Sequence, residues 1–170
     1  MIYEPQEDSF LLAKYVKKYA QGKVLDMGSG SGIQAETALE KTKDVLAVDI
    51  NPEVIERLKQ KGINVQFSDL FSSIKEKFDL IIFNPPYLPD DEREDEESKK
   101  ITTGGKEGFE IIDRFLKDAK KYLNKKGKIL IVFSSLSGDI LGLFKKYNYQ
   151  YRLLKEKNIF FEKLFIYLVE

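Results

Sequence analysis

Asn84-Pro85-Pro86-Tyr87 follows at once on the apolar run Asp79-Leu80-Ile81-Ile82-Phe83. Proline has no N–H, fixes φ and restricts the residue before it. The Asn84 side chain and the Pro85 carbonyl are therefore held as two fixed acceptors, and a planar NH2 group can donate one hydrogen to each. Tyr87 can stack on the flat group that carries the nitrogen. An amide or aniline-like nitrogen is a poor nucleophile, because its lone pair is delocalised. Two acceptors on its hydrogens raise its electron density, favour pyramidalisation and aim the lone pair at an electrophile. No strong base is needed before attack, which suits a chain with no histidine and no cysteine. The same absence excludes disulfides, zinc–thiolate sites, cysteine nucleophiles and histidine-based mechanisms within the chain, and no metal site is expected.

The electrophile is suggested by a second motif, Val24-Leu25-Asp26-Met27-Gly28-Ser29-Gly30-Ser31-Gly32. A dinucleotide fingerprint reads G-x-G-x-x-G, whereas this loop reads G-x-G-x-G behind Asp26. An acid at that place is unhelpful beside a pyrophosphate and useful beside an ammonium. S-adenosyl-L-methionine offers an ammonium, no phosphate and an electrophilic sulfonium methyl group. Asp49 ends the next apolar run, about twenty residues on, where an acid can accept both ribose hydroxyls. Asp69, in Ser68-Asp69-Leu70-Phe71, can accept from the adenine amine while Leu70 donates its backbone N–H. Any one of these acids alone could merely cap a helix. Three in register after three consecutive strands favour an adenosyl site.

Loops of this kind must be held by strands. Phe10, Leu11, Tyr15, Val16 and Tyr19 recur at helical spacing, so residues 6–20 read as a helix. Strands are expected at Lys23 to Met27, Val45 to Val48, Ile63 to Phe67 and Phe78 to Phe83, with helices over 32–41 and 52–61 between them. A long loop runs from Asn84 to about Lys106. A helix carries Phe109, Ile112, Phe115, Ala119 and Tyr122, and Lys126-Gly127 turns the chain into a strand from Lys128 to Phe133. Residues 137–147 read as helical, and Tyr149 to Lys155 and Ile159 to Leu168 as an antiparallel pair. Such alternation builds right-handed βαβ units with helices on both faces of a mostly parallel sheet, ligands binding at the strands' carboxyl ends. The chain has 170 residues, which suits a single domain over 1–170.

With these motifs on the page, the sequence resembles the class I S-adenosylmethionine-dependent methyltransferases. Within them it is similar to the HemK/PrmC group of protein-glutamine methyltransferases, in its short archaeal/eukaryotic branch. The resemblance is carried by Tyr3-Glu4-Pro5-Gln6-Glu7-Asp8-Ser9, the glycine loop, Asp49-Ile50-Asn51-Pro52, Asn84-Pro85-Pro86-Tyr87, and Gly104-Gly105-Lys106-Glu107-Gly108 leading to Ile112-Asp113-Arg114-Phe115. It implies a Rossmann-like α/β fold with a seven-stranded sheet and a C-terminal antiparallel hairpin. Ser9, Asp26, Gly28, Gly30, Asp49, Ile50, Asp69, Leu70 and Asn84 are the expected cofactor contacts, and Asn84, Pro85 and Tyr87 the expected catalytic set. The implied substrate is glutamine in the Gly-Gly-Gln loop of a peptide chain release factor. The implied partner is a small zinc-binding activator protein along an edge strand.

Lys plus Arg and Asp plus Glu both number 28, so the net charge is zero. That balance argues against nucleic acid as a general partner. Asp90 to Glu97 holds seven acids and one arginine, a run that is usually solvated and would repel a phosphate backbone. The rival reading is an adenine-amine methyltransferase on DNA or RNA, since the same motif serves an aromatic amine. A further rival is a non-catalytic methyltransferase-fold binding subunit, which predicts decayed motifs. No signal peptide or membrane span is read from the sequence, so a cytoplasmic location is expected.

Overall fold

A computed structural model of the chain describes residues 2–88 and 102–170. The acidic run from Asp90 to Glu97 lies outside the described residues. The strands are β1 (Val24–Met27), β2 (Val45–Asp49), β3 (Val65–Phe67), β4 (Phe78–Phe83), β5 (Leu123–Ser134), β6 (Tyr151–Ile159) and β7 (Glu162–Val169). The described helices are α1 (Glu7–Tyr19), α2 (Ile33–Leu39), α3 (Pro52–Gln60), α4 (Glu110–Ala119) and α5 (Ile140–Lys146).

All seven strands join one sheet in the order β3-β2-β1-β4-β5-β7-β6. From β3 to β5 every neighbour is parallel, and β7 runs antiparallel to both β5 and β6. The expected architecture is therefore present. Its central strands are mostly apolar because both faces are covered. In β4, Leu80 and Ile82 face a layer built by Leu12, Val16, Ala35, Ala38, Val54 and Leu58 of α1, α2 and α3. Ile81 and Phe83 face the opposite layer, with Ile112, Phe115, Leu116, Leu143 and Phe144 of α4 and α5.

Local chemistry explains where the helices start and stop. Asn51 Oδ1 accepts from Glu53 N at 2.9 Å and Pro52 opens the first turn of α3. The third expected strand is trimmed to Val65–Phe67, because the chain closes α3 with Ile63 N donating to Leu58 O. The helix expected over 137–147 begins only at Ile140. Ser137 Oγ is spent on Ser134 N in the preceding turn, and Asp139 caps the helix by accepting from Gly142 N.

Two further boundaries differ from those expected. Lys126-Gly127 is not a turn into a strand, since β5 already begins at Leu123. Leu123 sits opposite Phe78 and Lys128 opposite Leu80, so the intervening residues bulge, and Lys126 takes φ +68°. Asn124 Nδ2 ties that bulge to β4 by donating to Asp79 Oδ1 at 3.0 Å. The terminal hairpin likewise turns at Phe160-Phe161, not between Lys155 and Ile159. Its charged residues continue the ladder, with Lys155 opposite Ile166 and Lys157 opposite Leu164.

The strand order reverses at β1, which lies between β2 and β4. Met27 is level with both Val48 and Phe83. Gly28, Asp49 and Asn84 consequently emerge side by side at the switch point, where open α/β sheets bind ligands.

Candidate active site

A cavity of about 970 Å³ opens at these carboxyl ends. The glycine loop forms its floor. Gly28 and Gly30 have φ +64° and +51°. Gly32 opens α2 at φ +89°, and a Cβ there would lie 2.5 Å from Leu58 Cδ2, so both conformation and space require glycine. Across the cavity, Gly104 lies so close to the Asn84 loop that its Cβ would meet Pro86 O at 2.6 Å. Gly104 N donates to Leu88 O at 2.9 Å, which fixes the two segments as one wall.

Asp49 lines the cavity with its carboxylate half used: Oδ2 accepts from Gly30 N at 3.0 Å and Oδ1 from Asn51 N at 2.9 Å. A carboxylate has about four lone-pair sites, so two remain for hydroxyls. Ile50 projects an exposed apolar side chain beside it. Leu70 is held at φ +48°, with Ser68 Oγ bonded to its carbonyl at 2.6 Å. Asp69 also lines the cavity, where Arg114 Nη2 donates to its Oδ2 at 2.9 Å. These groups fit an adenosyl moiety: spare acceptors for hydroxyls, an apolar face, and an acid beside a fixed loop.

Asp26 stands apart. It is buried beneath the glycine loop and is not among the residues that line the cavity. Its Oδ2 accepts from Ala35 N at 3.1 Å, and burial pushes its carboxyl up to about 7. In this geometry it braces the start of α2 and the loop above it, and direct contact with an ammonium is not what its position offers.

The most informative arrangement centres on Asp8, which the candidate residues above did not include. Asp8 lies in the first turn of α1 and is 3% exposed. Its carboxylate accepts from the hydroxyls of Tyr3 at 3.0 Å and Tyr87 at 3.2 Å. It also accepts from Ser9 N at 2.6 Å and from the Ser9 hydroxyl at 3.1 Å. Burial, reinforced by the Asp8 charge, pushes both phenols far above their ordinary range, so both remain donors. The Ser9 hydroxyl has one hydrogen and gives it to Asp8. Only a donor can then face its lone pairs, and that donor is Asn84 Nδ2 at 3.3 Å. The Asn84 amide is thereby oriented with its oxygen turned away from Ser9. That Oδ1 is buried and has no hydrogen-bond partner.

Three more cavity-lining residues carry buried oxygens without partners, Gln34 Oε1, Thr103 Oγ1 and Glu110 Oε2. A buried polar atom left unpaired costs about 1–3 kcal/mol. Four around one cavity indicate groups kept for a ligand. Pro85 is buried next to Asn84, and the Tyr87 ring is wedged between both core layers with its hydroxyl pinned. The structure thus brings Ser9, Gly28, Gly30, Asp49, Ile50, Asp69, Leu70, Asn84, Pro85 and Tyr87 around one cavity and leaves Asp26 under it. Asp8, Tyr3 and Arg114 are additions. The signal for Asp8 was present in the Tyr3-to-Ser9 segment, but an acid in a helix's first turn reads as a dipole partner.

The model of the methyltransferase small domain family matches residues 5–160. A Methanocaldococcus jannaschii protein, provisionally named a protein N5-glutamine methyltransferase, is 37% identical over 97% of this chain and 89% of its own length. The release factor glutamine methyltransferase of Streptococcus pneumoniae is 33% identical over 73% of this chain, which spans 50% of that longer protein. Among solved structures, the E. cuniculi Mtq2–Trm112 complex, described as responsible for methylation of the eRF1 termination factor, aligns with a TM-score of 0.81. The alignment is 29% identical and covers 99% of this chain and 98% of the other. This chain belongs to the methyltransferase small domain family, as a HemK-type class I S-adenosylmethionine-dependent methyltransferase.

Proposed function

We propose that this protein transfers a methyl group from S-adenosyl-L-methionine to the side-chain amide nitrogen of glutamine in the Gly-Gly-Gln loop of a translation release factor. The observation that carries the reading is the oriented, unpartnered Asn84 Oδ1 beside the rigid Pro85 backbone. The names of the similar proteins support the substrate class. Asp49 receives the ribose hydroxyls, Asp69 and the Leu70 N–H meet the adenine edge, and Ile50 covers its face. Gly28 and Gly30 let the loop backbone approach, Ser9 lines the amino-acid end and Asp26 braces the loop.

When bound, the cofactor supplies an electrophilic methyl group on sulfur. Asn84 Oδ1 and the Pro85 carbonyl each accept one hydrogen of the substrate NH2, which localises the nitrogen lone pair and points it along one line. The Tyr87 ring packs against the flat amide. A nitrogen that has gained the methyl group is strongly acidic and loses its proton to water, so no base among these residues is needed.

The span 1–170 acts as one catalytic domain in the cytoplasm; no described helix is long and apolar enough to cross a membrane. The small zinc-binding activator belongs on the β3 edge, where Phe67 is 53% exposed. The presence of Trm112 in the similar E. cuniculi complex supports a partner protein of this kind. Label transfer from methyl-labelled cofactor tests the function, offering release factor, its Gln→Ala variant and adenine-bearing DNA in parallel. Label on the intact factor alone is the expected result. Label on DNA alone would replace this reading with the adenine one.

A further inference from the structure

Phe160 and Phe161 form the turn between β6 and β7, and both are fully exposed, at 104% and 98%. Two-residue hairpin turns favour Asn, Asp or Gly because their backbone needs positive φ. Phe160 sits at φ +25°. A bulky ring thus occupies a glycine-like position and buries nothing in return. A tip that breaks the turn rule without a folding benefit is the kind of local inconsistency that marks a functional surface.

Its place in the fold says which surface. β7 runs antiparallel to β5, with Leu164 opposite Ser134 at the carboxyl end of β5. Glu162 and the turn therefore project beyond the same end of the sheet on which Asn84 opens. The Glu162 carboxylate is close enough to Tyr3 and Tyr87 to help hold their phenols protonated. Lys157 pairs with Glu7, the residue before Asp8. The loop after β5 joins through Ser135 N donating to Lys163 O at 2.9 Å, and carries Leu136, itself 46% exposed. The aromatic tip is thus tethered at the end of the sheet on which the cavity opens, with neither ring in the cavity lining.

We propose that Phe160 and Phe161 are the docking tip for the methyl-accepting protein and enter an apolar depression on it, beside the loop whose glutamine fills the cavity. This rests on the reading that the acceptor is a release factor. A glutamine flanked by glycines offers little area, so affinity for the whole protein must come from contacts outside the cavity. The tip stands at the same end of the sheet as the mouth and holds apolar rings that are free to be buried.

The test compares the wild type with the double variant Phe160→Ser/Phe161→Ser, since both rings are exposed and unused in folding. Steady-state methyl transfer is measured on intact release factor and on a short peptide carrying Gly-Gly-Gln, with cofactor affinity measured by calorimetry. The expected result is a rise in KM for the intact factor of about tenfold to hundredfold, as for buried aromatic anchors. The kcat, the peptide kinetics and the cofactor affinity stay at wild-type values. An unchanged KM for the intact factor overturns the proposal while leaving the function standing. Equal losses on factor and peptide also overturn it, because the tip would then act on the cavity. A wild type that dimerises in sedimentation while the variant does not assigns the tip to a second copy. A wild type unable to label the factor removes the functional reading and this inference with it.

Discussion

Replacing Asp8 by asparagine turns one acceptor oxygen into an NH2 donor, removes the charge and leaves shape almost untouched, yet the structure predicts a large loss of turnover. Four donors converge on the Asp8 carboxylate: two phenol hydroxyls, the Ser9 N–H and the Ser9 hydroxyl. Hydrogen bonds to a charged group are worth about 1.5–3 kcal/mol and neutral ones about 1 kcal/mol. Losing the charge should therefore weaken each of the four bonds by about 0.5–2 kcal/mol, about 2–8 kcal/mol in total, shared between stability and the ordering of Asn84. The second share matters for function. Once the carboxylate no longer claims the Ser9 hydrogen, that hydroxyl can donate to Asn84 instead, and the amide is free to rotate its oxygen away from the substrate. If about 2.7 kcal/mol falls on that step, kcat drops about a hundredfold. KM for cofactor should move little, because the adenosyl contacts lie on β2 and β3. Ser9→Ala should lower kcat in the same direction but less, near tenfold, by removing the relay without disturbing the phenols. Single-turnover rates of the two single variants and the double variant decide the matter. Because both residues act through Asn84, the double variant should be no slower than Asp8→Asn alone. Fully additive penalties, or a wild-type rate in Asp8→Asn, would refute the relay.

Other expectations concern the cofactor side and the scaffold. Asp49→Ala should weaken cofactor binding about tenfold to hundredfold in calorimetry, since hydrogen bonds to a carboxylate carry that much; unchanged affinity in a folded variant rules out the assignment. Burial raises Asp26 from 3.8 to about 7, so between those values the folded chain holds a proton that the unfolded chain has lost. Its contribution to stability is therefore greatest at low pH and is lost as pH rises through that window, and Asp26→Asn should flatten this part of a urea-unfolding profile. A variant with the same slope as the wild type contradicts the burial argument. Gly32→Ala should cost about 2–4 kcal/mol, combining an unfavourable φ with the clash on Leu58, and a melting temperature within a degree or so of the wild type would show that the loop relaxes instead.

The sheet was legible because strands covered on both faces leave unbroken apolar runs, as in Leu80 to Phe83, and because glycine and proline mark their ends. The acids at the ends of β2 and β3 were legible for the same reason, since register places Asp49 and Asp69 at the cavity. A one-dimensional motif does not reveal whether the Asp26 side chain points into a cavity or under its floor, and the structure buries it outside the cavity lining. Asp8 is hard to read because its partner Tyr87, and Asn84, which it reaches through Ser9, lie far along the chain, and only the packing of α1 on the sheet brings them together. Lys126 and the Phe160-Phe161 turn resisted prediction because both break local rules. A lysine holds positive φ in a bulge fixed by Asn124 and Asp79, and two phenylalanines stand where turn chemistry favours glycine.

The central claim is that the Asn84 oxygen and the Pro85 carbonyl grip a planar NH2 group in the transition state. Single-turnover methyl transfer by Asn84→Ala, at saturating cofactor and release factor, tests it most directly. The account predicts a rate about a hundredfold or more below wild type, as for loss of one preorganised polar group, with both ligands still bound at near-normal affinity. A wild-type rate in a variant that binds both ligands would contradict it.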